Sequence, residues 1–326
     1  MPLSTSIVLC TYNGVRFLQA QWESLLAQSR SPDEIVVRDD GSGDGTWELL
    51  DSLATSAKKR GIRVRLARNP RNLGYVANFE AALQDASGDV LFLCDQDDVW
   101  HVDKLAILVA PFEERSKLLL LCSDARRIDM VGACLPRSLF QVLKVSRTER
   151  RRIHAGQGFR VLLRRSLATG ATTALRRELL VDALPFPRGW AHDEWLAIIA
   201  AALGGFDCIE RSLIDYRQHG QNQIGMPDRD LATKWRDLLR PEAIAIDPLI
   251  ARDEALRERL RIFAARVPDG SRDHMEGRLR HLRVRRLLRG SSGAKARTVW
   301  QEMFNGNYRR YASGWRSALR DLLRRD

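Results

Sequence analysis

Short apolar runs alternate with longer amphipathic stretches over the first 94 residues of the chain. Apolar runs bounded by polar turns are typical of buried strands, whereas apolar residues repeating every three or four positions predict helices. A strand–helix series of this kind predicts an α/β fold with a parallel, right-handed wound sheet and helices on both faces. The predicted strands are 6–10, 34–38, 62–67 and 89–94, and the predicted helices are 14–28, 46–59 and 75–86.

The pattern becomes less regular after residue 94 and then turns helical. Apolar runs at 118–122, 172–175 and 208–209 predict further strands, and 194–203 has the spacing of a helix. Residues 131–166 show no clear period, and their many arginines indicate a surface region. From residue 230 onward the pattern is almost purely helical, with breaks at proline and glycine.

Composition separates the C-terminal end from the rest of the chain. The net charge is +12, and residues 278–326 hold 14 basic against 3 acidic side chains. We therefore expect a catalytic domain over 1–225 and a basic helical region over 226–326. No apolar run reaches the ~18–20 residues of a membrane span, and the N-terminus lacks the features of a signal peptide, so we expect a cytoplasmic protein. The five scattered cysteines favour free thiols over a disulfide framework or a zinc site.

The strand predicted at 89–94 ends in the carboxylates Asp95, Asp97 and Asp98, with Trp100 just beyond. Carboxylates this close repel one another and favour protonation unless a cation lies among them. Ligands of open α/β sheets collect beyond the carboxyl ends of the strands. We therefore expect a hard divalent cation held by these carboxylates and by substrate phosphates. A solvated acidic turn is the alternative.

Two other predicted strands end in polar motifs that face the same crevice. Thr11, Tyr12 and Asn13 follow the first strand, and Asp39 and Asp40 follow the second. A strand-end carboxylate can accept a hydrogen bond from a base or a ribose hydroxyl, and a tyrosine can stack on a flat base. Turns and helix caps are the structural alternative, and they explain the glycines after Asp40 better than the Asp pair itself.

Three more segments carry candidate contacts. Arg71 can approach a phosphate, whereas Asn72 beside it suits a turn equally well. Asp193 lies between two tryptophans, where a partly desolvated carboxylate suits a general base; capping the following helix is the alternative. Arg217 is a candidate diphosphate contact. His219 is a candidate metal or phosphate contact, although a lone histidine in a polar loop is more often a surface residue.

In chain order these segments resemble glycosyltransferase family 2, of the GT-A fold, and especially its bacterial rhamnosyltransferase-type members. Each segment alone is a weak signal, whereas seven in order at plausible spacings are strong. Two departures are a different sequence around 165–172 and a region after about 226 that matches no part of the family. The matching segments are Cys10–Gly14, Asp39–Thr46, Arg71–Gly74, Cys94–Trp100, Thr169-Gly170, His192–Trp195 and Tyr216–Asn222.

The resemblance implies transfer of one sugar, with inversion, from a nucleotide-diphosphate donor to an acceptor hydroxyl in surface polysaccharide assembly. L-Rhamnose from dTDP-rhamnose is the donor sugar that it suggests. Asp193 would be the catalytic base, and Asp97 would be the direct ligand of Mn²⁺ or Mg²⁺. With the candidates named above, the predicted donor-binding residues are Thr11, Tyr12, Asn13, Asp39, Asp40, Arg71, Asn72, Asp95 and Arg217, and the predicted metal ligands are Asp97, Asp95 and His219.

The basic tail and the rival functions complete these expectations. Residues 274–289 and 308–323 place leucines and aromatic residues at helical spacing among arginines. Such helices suit an anionic membrane surface, where a lipid-linked acceptor would be met; packing on the catalytic domain is the alternative. No motif supports nucleic-acid binding.

The rival functions are a sugar-nucleotide nucleotidyltransferase and a non-catalytic module that binds nucleotide sugars or polysaccharide. The sequence shows no glycine-rich phosphate loop near the N-terminus, which a nucleotidyltransferase would need. The acidic triad together with Asp193 argues against a non-catalytic module.

Overall fold

The computed structural model describes residues 2–218, 243–288 and 292–323. These residues form two compact units. The first contains residues up to 186 and from 190 to 218, and the second contains those from 243 onward together with Pro187–Gly189.

One mixed sheet organises the first unit. Its strands are β1 (Thr5–Thr11), β2 (Glu34–Asp39), β3 (Arg63–Arg68), β4 (Val90–Cys94), β5 (Val99–Trp100), β6 (Leu120–Ile128), β7 (Thr173–Arg176) and β8 (Phe206–Arg217). Their order across the sheet is β3-β2-β1-β4-β7-β6-β8-β5. Strands β1 to β4 pair in parallel, as the strand–helix alternation predicts, and β6 and β8 are also parallel. The pairs β4–β7, β6–β7 and β5–β8 are antiparallel.

The helices of the first unit connect and cover these strands. They are α1 (Val15–Leu26), α2 (Thr46–Lys58), α3 (Tyr75–Asp85), α4 (Lys104–Glu114), α5 (Leu139–Val142), α6 (Arg147–Arg152), α7 (Gly158–Leu162), α8 (Leu179–Ala183) and α9 (His192–Ala202). A π-helical turn covers Ile153–Gln157, and a 3₁₀ turn covers Gly170–Thr172. This architecture confirms the predicted wound, mostly parallel sheet with helices.

The core of the sheet lies at β1 and β4, whose residues are all buried. Strands buried on both faces read as nearly continuous apolar runs, which is why the sequence predicts them well. In the parallel register Leu9 is opposite Cys94 and Thr11 is opposite Asp39. The polar motifs that follow β1, β2 and β4 are therefore side by side at one edge of the sheet.

The later elements depart from the predicted bounds. Strand β8 has 12 residues, whereas only 208–209 was predicted, because Glu210, Arg211 and Asp215 interrupt its apolar pattern. Helix α9 begins at His192 rather than at residue 194. The region 131–166, predicted only as surface, contains α5, α6, the π-helical turn and α7.

The second unit is helical and is held together by buried charges as well as apolar contacts. Arg278 contacts Asp253 at 2.6 Å, and Arg285 contacts Asp321 at 2.8 Å. Tyr308 also donates to Asp321, at 2.5 Å. Its helices are α10 (Ala243–Ile262), α11 (Asp269–Arg286), α12 (Ser292–Phe304), α13 (Asn307–Tyr311) and α14 (Trp315–Leu323). None of the helices in the described parts of the chain has both the length and the apolar character that spanning a bilayer requires.

The apolar positions predicted in this tail have two different fates. Met275, Leu279 and Leu282 are buried in the unit, and so are the tyrosines of α13. Leu287 was grouped with the first three residues, and that grouping is wrong because its side chain is exposed beyond the end of α11. On α14, Ala318 is buried, whereas the larger side chains of Trp315, Leu319, Leu322 and Leu323 are exposed.

Candidate active site

Three carboxylates follow the carboxyl end of β4, and a fourth, in the first turn of α9, lies within electrostatic range of Asp95. We call Asp95, Asp97, Asp98 and Asp193 the acidic cluster. Burial, followed by the charges of Asp97 and Asp193, raises the pKa of Asp95 to about 7. Burial and the charges of Asp97 and Asp95 raise the pKa of Asp98 well above its usual range. Burial, followed by the charges of all four carboxylates, also raises the pKa of the Tyr216 phenol, so this phenol lies within electrostatic range of the whole cluster.

Asp193 is positioned by the first turn of α9 and by the preceding 3₁₀ turn. Ala191 occupies the N-cap position of α9, so Asp193 lies inside the first turn rather than at the cap. One carboxylate oxygen accepts a hydrogen bond from the Gly170 amide at 2.8 Å, and the other accepts from the Glu194 amide at 2.8 Å. The positive end of the helix dipole also favours a carboxylate in this turn. Asp193 is therefore a fixed carboxylate that faces the acidic strand end.

The acidic cluster has the donor chemistry of a hard divalent cation site. Carboxylate oxygens are the ligands that Mg²⁺ and Mn²⁺ prefer. The Oδ2 atom of Asp98 is buried and accepts no hydrogen bond from any residue in the described ranges. Repulsion that raises carboxylate pKa values is relieved when a cation enters. The residues present therefore fit such an ion. His219, the third predicted ligand, lies outside the described residues.

Asp39 and Asp40 are buried at the end of β2, where they accept hydrogen bonds from the protein itself. Asp39 accepts from the Thr11 hydroxyl at 2.9 Å and from the Ser42 amide at 2.9 Å. Asp40 accepts from the amides of Leu73 and Gly74, both at 2.9 Å. The two carboxylates thus join the loops that follow three neighbouring strands. Their predicted contacts with a base and ribose remain a prediction.

Tyr12 and Asn13 follow β1 and contact the neighbouring strand ends. Tyr12 is 39% exposed, so part of this residue is accessible to a ligand. Its amide donates to Oε1 of Gln96 at 2.8 Å, and the Gln96 side chain returns a hydrogen bond to the Tyr12 carbonyl at 3.0 Å. Asn13 adopts a positive φ of 48°, and its side-chain oxygen accepts from the Gly43 amide at 3.0 Å.

Arg71, Asn72 and Arg217 lie at the same edge but in different environments. Arg71 is exposed, and the Asn72 side chain accepts from the Gly74 amide at 2.9 Å, as its turn interpretation predicts. Arg217 is buried, and its guanidinium donates to the Asp97 carbonyl at 2.7 Å and lies 4.8 Å from the centre of the Phe17 ring. Its backbone amide donates to Asp98 at 2.9 Å. Arg217 therefore supports the acidic strand end, and its diphosphate contact remains a prediction.

Three side chains near the cluster were not predicted as site residues. Gln96 bridges two strand ends, as described above. Lys104 is buried at the start of α4, where burial lowers its pKa to about 7. His192 is buried and stacks on Phe79 with ring centres 4.1 Å apart. Lys104 carried a detectable signal, because it occupies the same face of α4 as the apolar residues Leu105 and Leu108. The contacts of Gln96 and His192 join residues that are far apart in the sequence, so no sequence pattern predicts them.

A second group of potential metal ligands lies away from the acidic cluster. His154, Asp207 and Cys208 place their ligand atoms within 4.8 Å of one another. Asp207 is already neutralised by Arg115 at 2.5 Å and contacts Nδ1 of His154 at 2.7 Å. Burial raises the pKa of Cys208 to about 12, which keeps its thiol protonated. These contacts satisfy the group without a cation.

A family model described as "Glycosyl transferase family 2" matches residues 6–183, which is more than half of the chain. The chain belongs to glycosyl transferase family 2. This membership confirms the resemblance drawn from the series of strand-end motifs. The matched range contains the ends of β1, β2, β3 and β4, whereas Asp193 and Arg217 lie beyond it. The rhamnosyltransferase-type subdivision remains a prediction.

Curated relatives of the family 2 chain carry glycosyltransferase names. An uncharacterized glycosyltransferase of Nostoc sp. is 27% identical over 230 residues, which are 68% of this chain and 66% of that protein. The Escherichia coli protein WfaP, a UDP-Glc:alpha-D-GlcNAc-diphosphoundecaprenol beta-1,3-glucosyltransferase, is 30% identical over 31% of this chain and 38% of its own length. The matches therefore span less than two thirds of these relatives.

Solved structures confirm the GT-A type of fold for this family 2 chain. TarS of S. aureus in complex with UDP-GlcNAc has a TM-score of 0.53 and 16% identity, covering 94% of this chain and 92% of that one. The mannosyltransferase PcManGT of Pyrobaculum calidifontis, in complex with GDP-Man and Mn²⁺, has a TM-score of 0.53 and 19% identity, covering 98% and 79%. At these identities the likeness shows the fold alone.

Proposed function

We propose that this protein is an inverting, metal-dependent glycosyltransferase that moves a sugar from a nucleotide-diphosphate donor to an acceptor hydroxyl. The proposal rests on the proximity of Asp193 to Asp95. The charges of Asp97 and Asp193 both raise the pKa of Asp95. This arrangement places a candidate base near candidate cation ligands. A non-catalytic binding module has no need of that arrangement.

The proposed roles follow from the position of each carboxylate. Asp193 accepts the proton of the acceptor hydroxyl while that oxygen attacks the anomeric carbon, and the bond to the diphosphate breaks with its electron pair leaving on the diphosphate. Asp95 and Asp97 would hold Mn²⁺ or Mg²⁺. Neutralising the departing diphosphate is the chemistry that this cation would supply when bound.

The proposed donor is a nucleotide sugar, with dTDP-L-rhamnose as the first to be tested. Support for the class comes from family membership and from the names of the relatives, which include UDP-Glc, UDP-GlcNAc and GDP-Man. The partly exposed Tyr12 can stack on a base. Asp39 and Asp40 contact the preceding residue, Thr11. Rhamnose is supported only by the resemblance of the motif series to rhamnosyltransferase-type members.

The test begins with calorimetric titration of a panel of nucleotide sugars, in Mn²⁺ and then in EDTA. We expect one donor to bind in a metal-dependent way.

We then expect Asp193→Asn to lower kcat by about 10²- to 10⁴-fold with donor affinity retained, as removal of a general base does. Glu194→Gln, which changes the neighbouring carboxylate, is the matched control. Unchanged turnover in Asp193→Asn would show that the base is wrongly assigned. Pyrophosphate release from a nucleoside triphosphate would instead establish the nucleotidyltransferase.

We also propose that the acceptor is a glycan or lipid-linked glycan met at the cytoplasmic face of a membrane, in surface polysaccharide assembly. The E. coli relative is named for a diphosphoundecaprenol-linked acceptor. In this chain the exposed side chains of Trp300 and Phe304 on α12, and of Trp315 on α14, stand among arginines. Aromatic residues beside basic residues suit an anionic lipid surface.

A further inference from the structure

Lys104 is a lysine with no exposed surface, and its surroundings are specific. Its ammonium lies 3.6 Å from the centre of the Trp100 ring and donates a hydrogen bond of 2.6 Å to the Ala171 carbonyl. Burying an ammonium is costly unless charges and hydrogen bonds compensate it. Leucine or methionine would fill this position on α4 without that cost. The lysine is therefore present for its charge and its hydrogen bond.

Lys104 lies between the acidic strand end and the turn that holds Asp193. Asp98 and Asp95 both favour its charged form, so its ammonium is within electrostatic range of these carboxylates. On the other side, Ala171 belongs to the 3₁₀ turn Gly170–Thr172. The Gly170 amide of that turn donates to Asp193 at 2.8 Å. The carbonyl that Lys104 contacts and the amide that holds Asp193 thus belong to neighbouring residues of one turn.

We propose that Lys104 is a positioning residue that anchors the turn holding Asp193 and also balances part of the charge of the acidic cluster. The inference rests on the proposed function for the role of Asp193, and extends it to a residue in α4. The two halves of the proposal have opposite consequences. Loss of the ammonium removes a positive charge that repels an entering divalent cation, so the cation binds more tightly. Loss of the anchor loosens Asp193 and slows turnover, because small misplacements of reacting groups are costly.

Two substitutions separate these halves. Lys104→Met keeps an apolar stem and removes both charge and hydrogen bond, whereas Lys104→Gln removes the charge and keeps a donor for the Ala171 carbonyl. At pH 6.5, where the ammonium form is populated, we expect both variants to bind Mn²⁺ about 3- to 10-fold more tightly in calorimetry without donor. We expect Lys104→Met to lower kcat about 10- to 100-fold, and Lys104→Gln to remain within about 3-fold of the wild type. Lys117→Met, at an exposed lysine, controls for the loss of one positive charge.

Amide hydrogen exchange gives a readout that needs no donor. We expect the backbone amides of Gly170–Thr172 to exchange about 10-fold faster in Lys104→Met than in the wild type or in Lys104→Gln. Unchanged or weaker Mn²⁺ binding in both variants, or unchanged exchange of Gly170–Thr172 in Lys104→Met, would overturn the proposal. A wild-type protein that binds Mn²⁺ but transfers no sugar would contradict the proposed function. The Mn²⁺ affinities and exchange rates would then still decide the role of Lys104.

Discussion

Asp40 organises the loop in front of the candidate site from a buried position at the end of β2. Its carboxylate accepts hydrogen bonds from the Asn69 side chain at 2.7 Å and from the amides of Leu73 and Gly74 at 2.9 Å. These bonds fix the segment that carries Arg71. The carboxylate therefore shapes the site through the protein backbone, in addition to any contact that it makes with a donor.

Replacing Asp40 by asparagine tests this role. We expect Asp40→Asn to lower the free energy of unfolding by about 1–3 kcal/mol, because the amide group faces donors that the carboxylate satisfied. Urea denaturation followed by circular dichroism measures the change. Asp51→Asn, at an exposed position on α2, is the control and should lie within about 0.5 kcal/mol of the wild type. Equal stability of both variants would mean that the loop does not depend on Asp40.

The burial of the His192 imidazole, next to Asp193 in the sequence, is unfavourable for stability. Its side chain is 4% exposed, and neither ring nitrogen has a hydrogen-bond partner among the residues that the structure describes. Burial lowers the pKa of His192 below its ordinary value near 6.5. The folded protein therefore holds fewer protons on this ring than the unfolded chain, so stability falls as the pH falls below about 6.5.

We expect His192→Phe to melt at the same or a higher temperature than the wild type at pH 7.5. Phenylalanine needs no hydrogen bond. It can also stack on Phe79, as His192 does. We also expect this variant to lose less stability than the wild type when the pH is lowered from 7.5 to 5. Thermal melting at several pH values measures both effects. A steeper acid loss in the variant would contradict the lowered pKa.

At the scale of elements, the amount that the sequence predicts depends on how each strand is buried. Strands β1 and β4 are buried on both faces and give plain apolar runs. Strand β8 carries Glu210 and Arg211 at exposed positions, and β5 has only two residues, so neither shows a readable pattern. The carboxylates at strand ends could be predicted from these runs. The bond from Gly170 to Asp193 could not, because it joins residues from separate elements.

The strand-end carboxylates also predict how the stability of the first unit depends on pH and metal. The pKa of Asp95 is raised to about 7 by burial and by the charges of Asp97 and Asp193, whereas Lys104 lowers it. Between its ordinary value near 4 and about 7, the folded protein keeps a proton that the unfolded chain loses. Without metal, this carboxyl therefore makes the protein less stable as the pH rises through that range.

A bound divalent cation removes this penalty, so we expect MnCl₂ to raise the melting temperature more at pH 8 than at pH 5.5. Differential scanning fluorimetry in EDTA and in excess Mn²⁺ measures the difference. Asp95→Asn should both flatten the pH dependence in EDTA and reduce the stabilisation by Mn²⁺. Equal stabilisation by Mn²⁺ at both pH values would show that the ion does not bind at the acidic cluster.

At the scale of the whole molecule, charge and exposed apolar surface both concentrate in the C-terminal region. Residues 227–326 hold 24 basic against 14 acidic side chains, whereas the whole chain holds 53 against 41. Sequence periodicity predicted an apolar face here, but it could not distinguish buried from exposed members. Tyr308 is buried in a cluster with Val299 and Ala318. In contrast, Phe304 is 94% exposed and Trp315 is 64% exposed.

These exposed aromatic side chains provide a test of the proposed membrane contact, with the whole 326-residue chain and anionic vesicles. We expect Phe304→Ser combined with Trp315→Ser to weaken co-sedimentation with phosphatidylglycerol vesicles about tenfold or more, because aromatic area no longer enters the lipid interface. Melting should stay unchanged, since neither side chain is part of the core. Val181→Ser, which alters an 84% exposed side chain of the first unit, is the matched control.

Wild-type binding should weaken when salt is added or when the vesicles contain phosphatidylcholine alone, because the arginines attract anionic lipid headgroups. Sedimentation of the double variant at the wild-type level would exclude Phe304 and Trp315 as the membrane contact.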